Sequence, residues 1–90
     1  MRIAICDDDK NDLIYINKTI EKTLKSKNVN CELKLYINSD SLLEDNLKCK
    51  YDVIFLDLDM PKINGMDVAS HINKLNEATE IIFVTNHDEL

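Results

Sequence analysis

Two acidic blocks in this chain each close an apolar run. In "IAICDDD" the run Ile3 to Cys6 ends at Asp7, Asp8 and Asp9; in "YDVIFLDLDMPKING" Val53 to Leu56 ends at Asp57, with Asp59 two residues on. A carboxylate at the mouth of a buried strand is costly to desolvate unless a cation, a hydrogen bond or water relieves it. Several such acids at one edge repel each other, so that either one keeps its proton or a cation is bound. Mg2+ is a natural partner: it takes an octahedral oxygen shell from one or two carboxylates and keeps places for water and phosphate oxygens. A remaining carboxylate can then act as a nucleophile and form an aspartyl phosphate.

That chemistry requires elements that bring the two blocks together. Arg2 to Cys6 reads as a buried strand. From Lys10 to Lys27, Leu13, Ile16, Ile20 and Leu24 recur at helical spacing, with Asp9 or Asn11 to cap the start and Asn28 to stop it. Cys31 to Ile37 alternates and places Leu33, Leu35 and Ile37 on one face of a second strand. Ser41 and Glu44 have capping-box spacing and open a short helix to Lys48. Asp52 to Leu56 is apolar on both faces, as a central parallel strand is. Met66, Ala69, Ile72 and Leu75 mark a third helix, and Glu80 to Val84 a fourth strand, followed at once by Thr85.

The order βαβαβαβ predicts an α/β fold: a parallel sheet with helices on both faces and right-handed crossovers. Ligands of such sheets sit beyond the carboxyl ends of the strands, where the strand order reverses. Asp7, Asp8, Asp9, Asp57, Asp59 and Thr85 would then surround one crevice.

Composition narrows the partners. Ninety residues, 44% hydrophobic and 31% charged, describe one small globular unit. The net charge of −6 disfavours direct nucleic-acid binding, which wants clustered Lys and Arg. The start is too short for a signal peptide and no stretch approaches a membrane span, so the reading is cytosolic. Cys6, Cys31 and Cys49 show neither C-x-x-C nor zinc spacing and read as buried or half-buried thiols. Tyr15, Tyr36 and Tyr51 read as partial core, His71 and His87 as solvent-facing, and Lys18, Lys22 and Lys25 as a solvated helix face.

The three blocks "IAICDDD", "VIFLDLDMPKING" and "IIFVTN", in that order, resemble the receiver domain of bacterial two-component response regulators. The resemblance implies a flavodoxin-like, doubly wound sheet with strand order 2-1-3-4, here without the family's fifth strand and last helix. It implies that Asp57 is the phosphoacceptor and that Asp8 touches Mg2+ directly and Asp7 through water. It further implies that Asp59 contributes its backbone carbonyl to the metal shell, and that Thr85 bonds a phosphoryl oxygen. Met60, Pro61 and Gly65 match the turn that aims the acceptor loop. The implied partners are a sensor histidine kinase and an output domain fused C-terminally. "HDEL" after "VTN" leans towards receivers that precede a LytTR-type DNA-binding domain. The family also places a Lys after its fifth strand, whereas no Lys follows Lys74 here, so residues 1–90 read as a receiver domain incomplete at its C-terminus.

The resulting expectation is a signalling domain rather than an enzyme. One alternative is a truncated receiver that docks proteins without being phosphorylated. Another is a haloacid-dehalogenase-like phosphatase fragment, suggested by Asp57-x-Asp59 but disfavoured by Met60-Pro61, since that motif usually carries Thr or Val after its second Asp. With no fifth strand, "EIIFV" would form an apolar edge, which invites a homodimer.

Overall fold

The computed structural model describes residues 1–60, 64–75 and 78–84. Its elements are β1 (Arg2–Cys6), α1 (Lys10–Ser26), β2 (Glu32–Tyr36), α2 (Ser39–Lys48), β3 (Val53–Asp57), α3 (Gly65–Leu75) and β4 (Glu80–Val84). All strand pairs are parallel, and the order across the sheet is β2-β1-β3-β4, the order the family resemblance implies. The strands bearing the two acidic blocks are thus adjacent, with Cys6 in register with Leu56. The chain order reverses between β1 and β3, so their carboxyl ends flank a crevice.

Alternation along the strands divides the core between two faces. Ala4 and Cys6 of β1, Tyr36 of β2, and Ile54 and Leu56 of β3 join Leu42 of α2 and Val68, Ala69 and Ile72 of α3 in one cluster. Ile3 and Ile5 point to the opposite face, the side of α1, whose Leu13 is buried. Helix α1 stops as Asn28 adopts the left-handed region at φ 55°. The Val29 N–H then bonds back to the Leu24 carbonyl at 3.0 Å and satisfies an end carbonyl of the helix.

Several local expectations need correction. Helix α2 begins two residues before Ser41: Asn38 is its N-cap, and Asn38 Oδ1 accepts the Ser41 N–H at 2.9 Å. Asn caps as well as Ser does, and the earlier of two possible caps is the one used. Strand β3 runs one residue later than expected. Asp52 stays outside it, its carboxylate accepting the Arg2 N–H at 2.7 Å. Tyr15 is 73% exposed rather than core, because two residues past Leu13 carry it about 200° around the helix. On α3 the buried stripe is Gly65, Val68, Ala69 and Ile72; Met66 lies outside it and faces solvent. Leu35 and Ile37 are more exposed than a core face requires, and the buried residue of β2 is Tyr36, on the other face. Cys6 is buried and Cys31 half-buried, but Cys49 is exposed.

Candidate functional site

Each acid of the site is placed by its element. Asp57 is the last residue of β3, and Asp7 follows the last residue of β1. The Asp7 N–H extends the β1–β2 ladder by donating to the Tyr36 carbonyl at 3.0 Å. One carboxylate oxygen from each of Asp7, Asp8 and Asp57 lies within 4.8 Å of the others. Asp7 and Asp57 are buried and Asp8 is exposed.

Local hydrogen bonds fix this arrangement. Asp7 Oδ1 accepts the Asp9 N–H at 2.9 Å. Asp9 is the N-cap of α1: its Oδ1 accepts from the Asn11 N–H at 2.8 Å and the Asp12 N–H at 3.2 Å. The third acid of the first block therefore serves the helix, and does not join the group formed by Asp7, Asp8 and Asp57. On the other side Asp57 Oδ1 accepts the Asp59 N–H at 3.1 Å, so residue 59 is held against Asp57 through its backbone. The Leu58 N–H donates to the Val84 carbonyl at 3.1 Å and keeps the end of β3 in the sheet.

Gly65 lets α3 begin where it does. A Cβ there would stand 2.9 Å from the Asp57 carbonyl oxygen and 3.0 Å from Leu58 Cα, closer than side-chain carbons approach backbone. Met60 is buried and belongs to the same core cluster as Val68 and Ala69. Pro61, Thr85 and His87 lie outside the described residues, as does the side chain of Leu75.

Electrostatics make the site unfavourable for its own charges. Burial pushes the Asp7 carboxyl up from 3.8 to about 6, the Asp9 N–H opposes this, and the charges of Asp57, Asp12 and Asp8 push further upward. Burial, aided by Asp7, Asp57 and Asp8, likewise raises the Cys6 thiol to about 12. Neither ion pair among the described residues involves Asp7, Asp8 or Asp57. Three oxygens from three carboxylates, two of them buried, fit a hard divalent cation with room left for water and phosphate oxygens.

Comparison with known proteins bears on what this crevice is. The model of the family described as "Response regulator receiver domain" matches residues 3–90. The chain belongs to the response regulator receiver family. Among curated relatives, the sensory transduction protein LytR of Staphylococcus saprophyticus is 38% identical over 94 residues, covering 98% of this chain and 33% of LytR. LytT of Bacillus subtilis is 29% identical over 92 residues, covering 99% of this chain and 35% of LytT. The receiver thus spans about a third of the length of these relatives. Among solved structures, a receiver domain from Clostridium thermocellum superposes with a TM-score of 0.78 at 26% identity, over 98% of this chain and 67% of that one. TrrA of Thermotoga maritima, solved in complex with Mg(2+)-BeF, gives 0.72 at 28% identity, over 98% of this chain and 71% of TrrA. The fold and the role as a two-component receiver, a signalling domain, follow from the family. No helix among the described residues is long and apolar enough to cross a membrane.

Sequence reasoning found the three acids that converge. It missed Tyr36, whose carbonyl holds Asp7; only the strand register, which pairs Tyr36 with Cys6, points to it.

Proposed function

We propose that this receiver is phosphorylated on Asp57, with Mg2+ held by Asp7, Asp8 and Asp57 and by the backbone carbonyl of Asp59. The observation that carries this reading is the convergence of Asp7, Asp8 and Asp57 within 4.8 Å, from strands that are neighbours only in the fold. When bound, the cation supplies charge that neutralises the carboxylates and the incoming phosphoryl oxygens. Asp57, anchored through one oxygen by the Asp59 N–H, presents the other as nucleophile. Its oxygen forms the new bond to phosphorus as the bond to the donor nitrogen of a phosphohistidine breaks, giving an acyl phosphate and a neutral imidazole after protonation. Thr85 would donate its hydroxyl to a phosphoryl oxygen.

The donor is a sensor histidine kinase, and the output is a C-terminal domain that binds DNA. Several relatives named as transcriptional regulatory proteins, and the one-third coverage of their length, support this. The domain turns over no substrate of its own and works in the cytoplasm.

Incubation with acetyl phosphate and Mg2+, read by intact mass, tests the assignment. The chain is expected to gain one phosphoryl group, and Asp57→Asn to abolish the gain. Undiminished labelling of Asp57→Asn would overturn the acceptor assignment. Saturable Mg2+ binding without labelling would favour a docking module, and steady turnover of a phosphomonoester a phosphatase.

A further inference from the structure

Tyr36 stands at a junction between the acid site and helix α2. It is the one buried residue of β2, at 5% exposed, while the other residues of the strand are half-buried or exposed. The ladder to β1 runs the length of β2, and Tyr36 adds the one buried side-chain anchor at the strand's carboxyl end. Its main-chain carbonyl accepts the Asp7 N–H at 3.0 Å, one step beyond the paired register of β1 and β2. Its phenol donates to Asp45 Oδ2 of α2 at 2.7 Å, and the same oxygen accepts from Lys34 Nζ at 2.9 Å.

Because Tyr36 gives its proton to Asp45, its oxygen is free to accept from the buried Tyr51 hydroxyl, with which it is in contact. The two rings meet edge to face, their centroids 6.1 Å apart. Arg2 closes the chain with its guanidinium 4.5 Å from the Tyr51 ring centre. The two tyrosines of this chain are buried and their partners half-buried or exposed; a polar network is rigid where its members are satisfied.

We infer that Tyr36 is a positioning residue for Asp7: its hydroxyl ties the carboxyl end of β2 to α2, and its carbonyl thereby sets the backbone from which the Asp7 carboxylate reaches the cation site. The metal half of this inference rests on the Mg2+ reading above; the backbone half does not. Metal sites respond to the partners that orient their ligands as well as to the ligands themselves. Movement of α2 would pass through the Asp45–Tyr36 bond to Asp7, so the outer face of α2 becomes a place from which the site can be tuned.

The test is Tyr36→Phe in the full chain, with two readouts. Amide hydrogen exchange should show the Asp7 N–H losing at least about tenfold more protection than the Ile54 N–H, because a local tether fails before the core does. Calorimetry should show Mg2+ binding weakened by about tenfold. Asp45→Ala cuts the same bond from α2 and should reproduce both effects, which covers the case in which Tyr36→Phe folds poorly. Lys34→Met removes the ion pair but leaves the Tyr36–Asp45 bond, and should change neither by more than about twofold. Equal loss of protection at Asp7 and Ile54, or unchanged Asp7 protection, would overturn the inference. Wild-type protein without saturable Mg2+ binding would sink the cation reading itself, and the exchange result would then decide the coupling alone.

Discussion

Asp7 carries its negative charge at a thermodynamic disadvantage, because it is 3% exposed and faces the charges of Asp57, Asp12 and Asp8. Its carboxyl titrates near 6 in the fold against 3.8 in a free chain. Between those values the folded state binds the proton that the unfolded state has released, so stability falls as pH rises. With no divalent ion present, the urea midpoint is expected to drop between about pH 4 and pH 6. Asp7→Asn should flatten that slope, and millimolar Mg2+ should restore the midpoint at neutral pH by binding only the folded form. A midpoint that climbs steadily over this range in metal-free buffer would contradict the placement of Asp7. At this scale the sequence was informative about residue type and less so about neighbours. Asp57, Asp7 and Asp8 could be named because each closes an apolar run. The role of Tyr36 was hidden because a carbonyl carries no side-chain signature.

Among the elements, α3 starts in tight contact with the carboxyl end of β3. Gly65 opens it against the Asp57 carbonyl, where an added Cβ would come within 2.9 Å of that oxygen. Gly65→Ala must push helix and strand end apart, at a cost of about 1–3 kcal/mol for overpacking. The better helix propensity of Ala, about 1 kcal/mol at most, offsets part of this. A net loss of about 1 kcal/mol or more in urea unfolding is expected, with slower labelling of Asp57, whose backbone is what the methyl meets. An Ala variant as stable and as fast as wild type would show that the contact is slack.

Strands and helices were legible where periodicity is strong: β4 occupies the expected residues 80–84, and α1 follows its apolar stripe. Errors gathered where two residues compete for one duty, as Asn38 and Ser41 do for the cap of α2. They also arose where a side chain is large and apolar yet lies off the stripe, as Met66 and Tyr15 do. Pattern alone does not say which apolar residues the tertiary fold will cover.

The whole molecule is covered unevenly. Helix α1 lies against β1 and β2, and α3 against β3. Strand β4 is at the sheet's margin, with Ile82 44% and Phe83 37% exposed. A groove of about 660 Å3, bordered by Met66, Ala69, Asn73, Ile81 and Phe83, runs between α3 and β4. Among the described residues no strand pairs with the outer side of β4. The other margin, β2, carries Glu32 and Lys34, charges of the kind that discourage pairing, whereas "EIIFV" has only its first residue charged. The 90-residue chain is therefore expected to self-associate as concentration rises, and Ile82→Lys to suppress this. Light scattering that reports a monomer at high concentration would refute the expectation.

Burial of Cys6 has a practical consequence. Its sulfur is sealed between the layers at 1% exposure and holds its proton to about pH 12, whereas Cys49 is open to solvent. A thiol reagent would modify Cys49 at once, half-buried Cys31 more slowly, and Cys6 only when the domain breathes open. The slowest phase of alkylation is thus a built-in clock for opening, set one residue from the acids and legible without any engineered label.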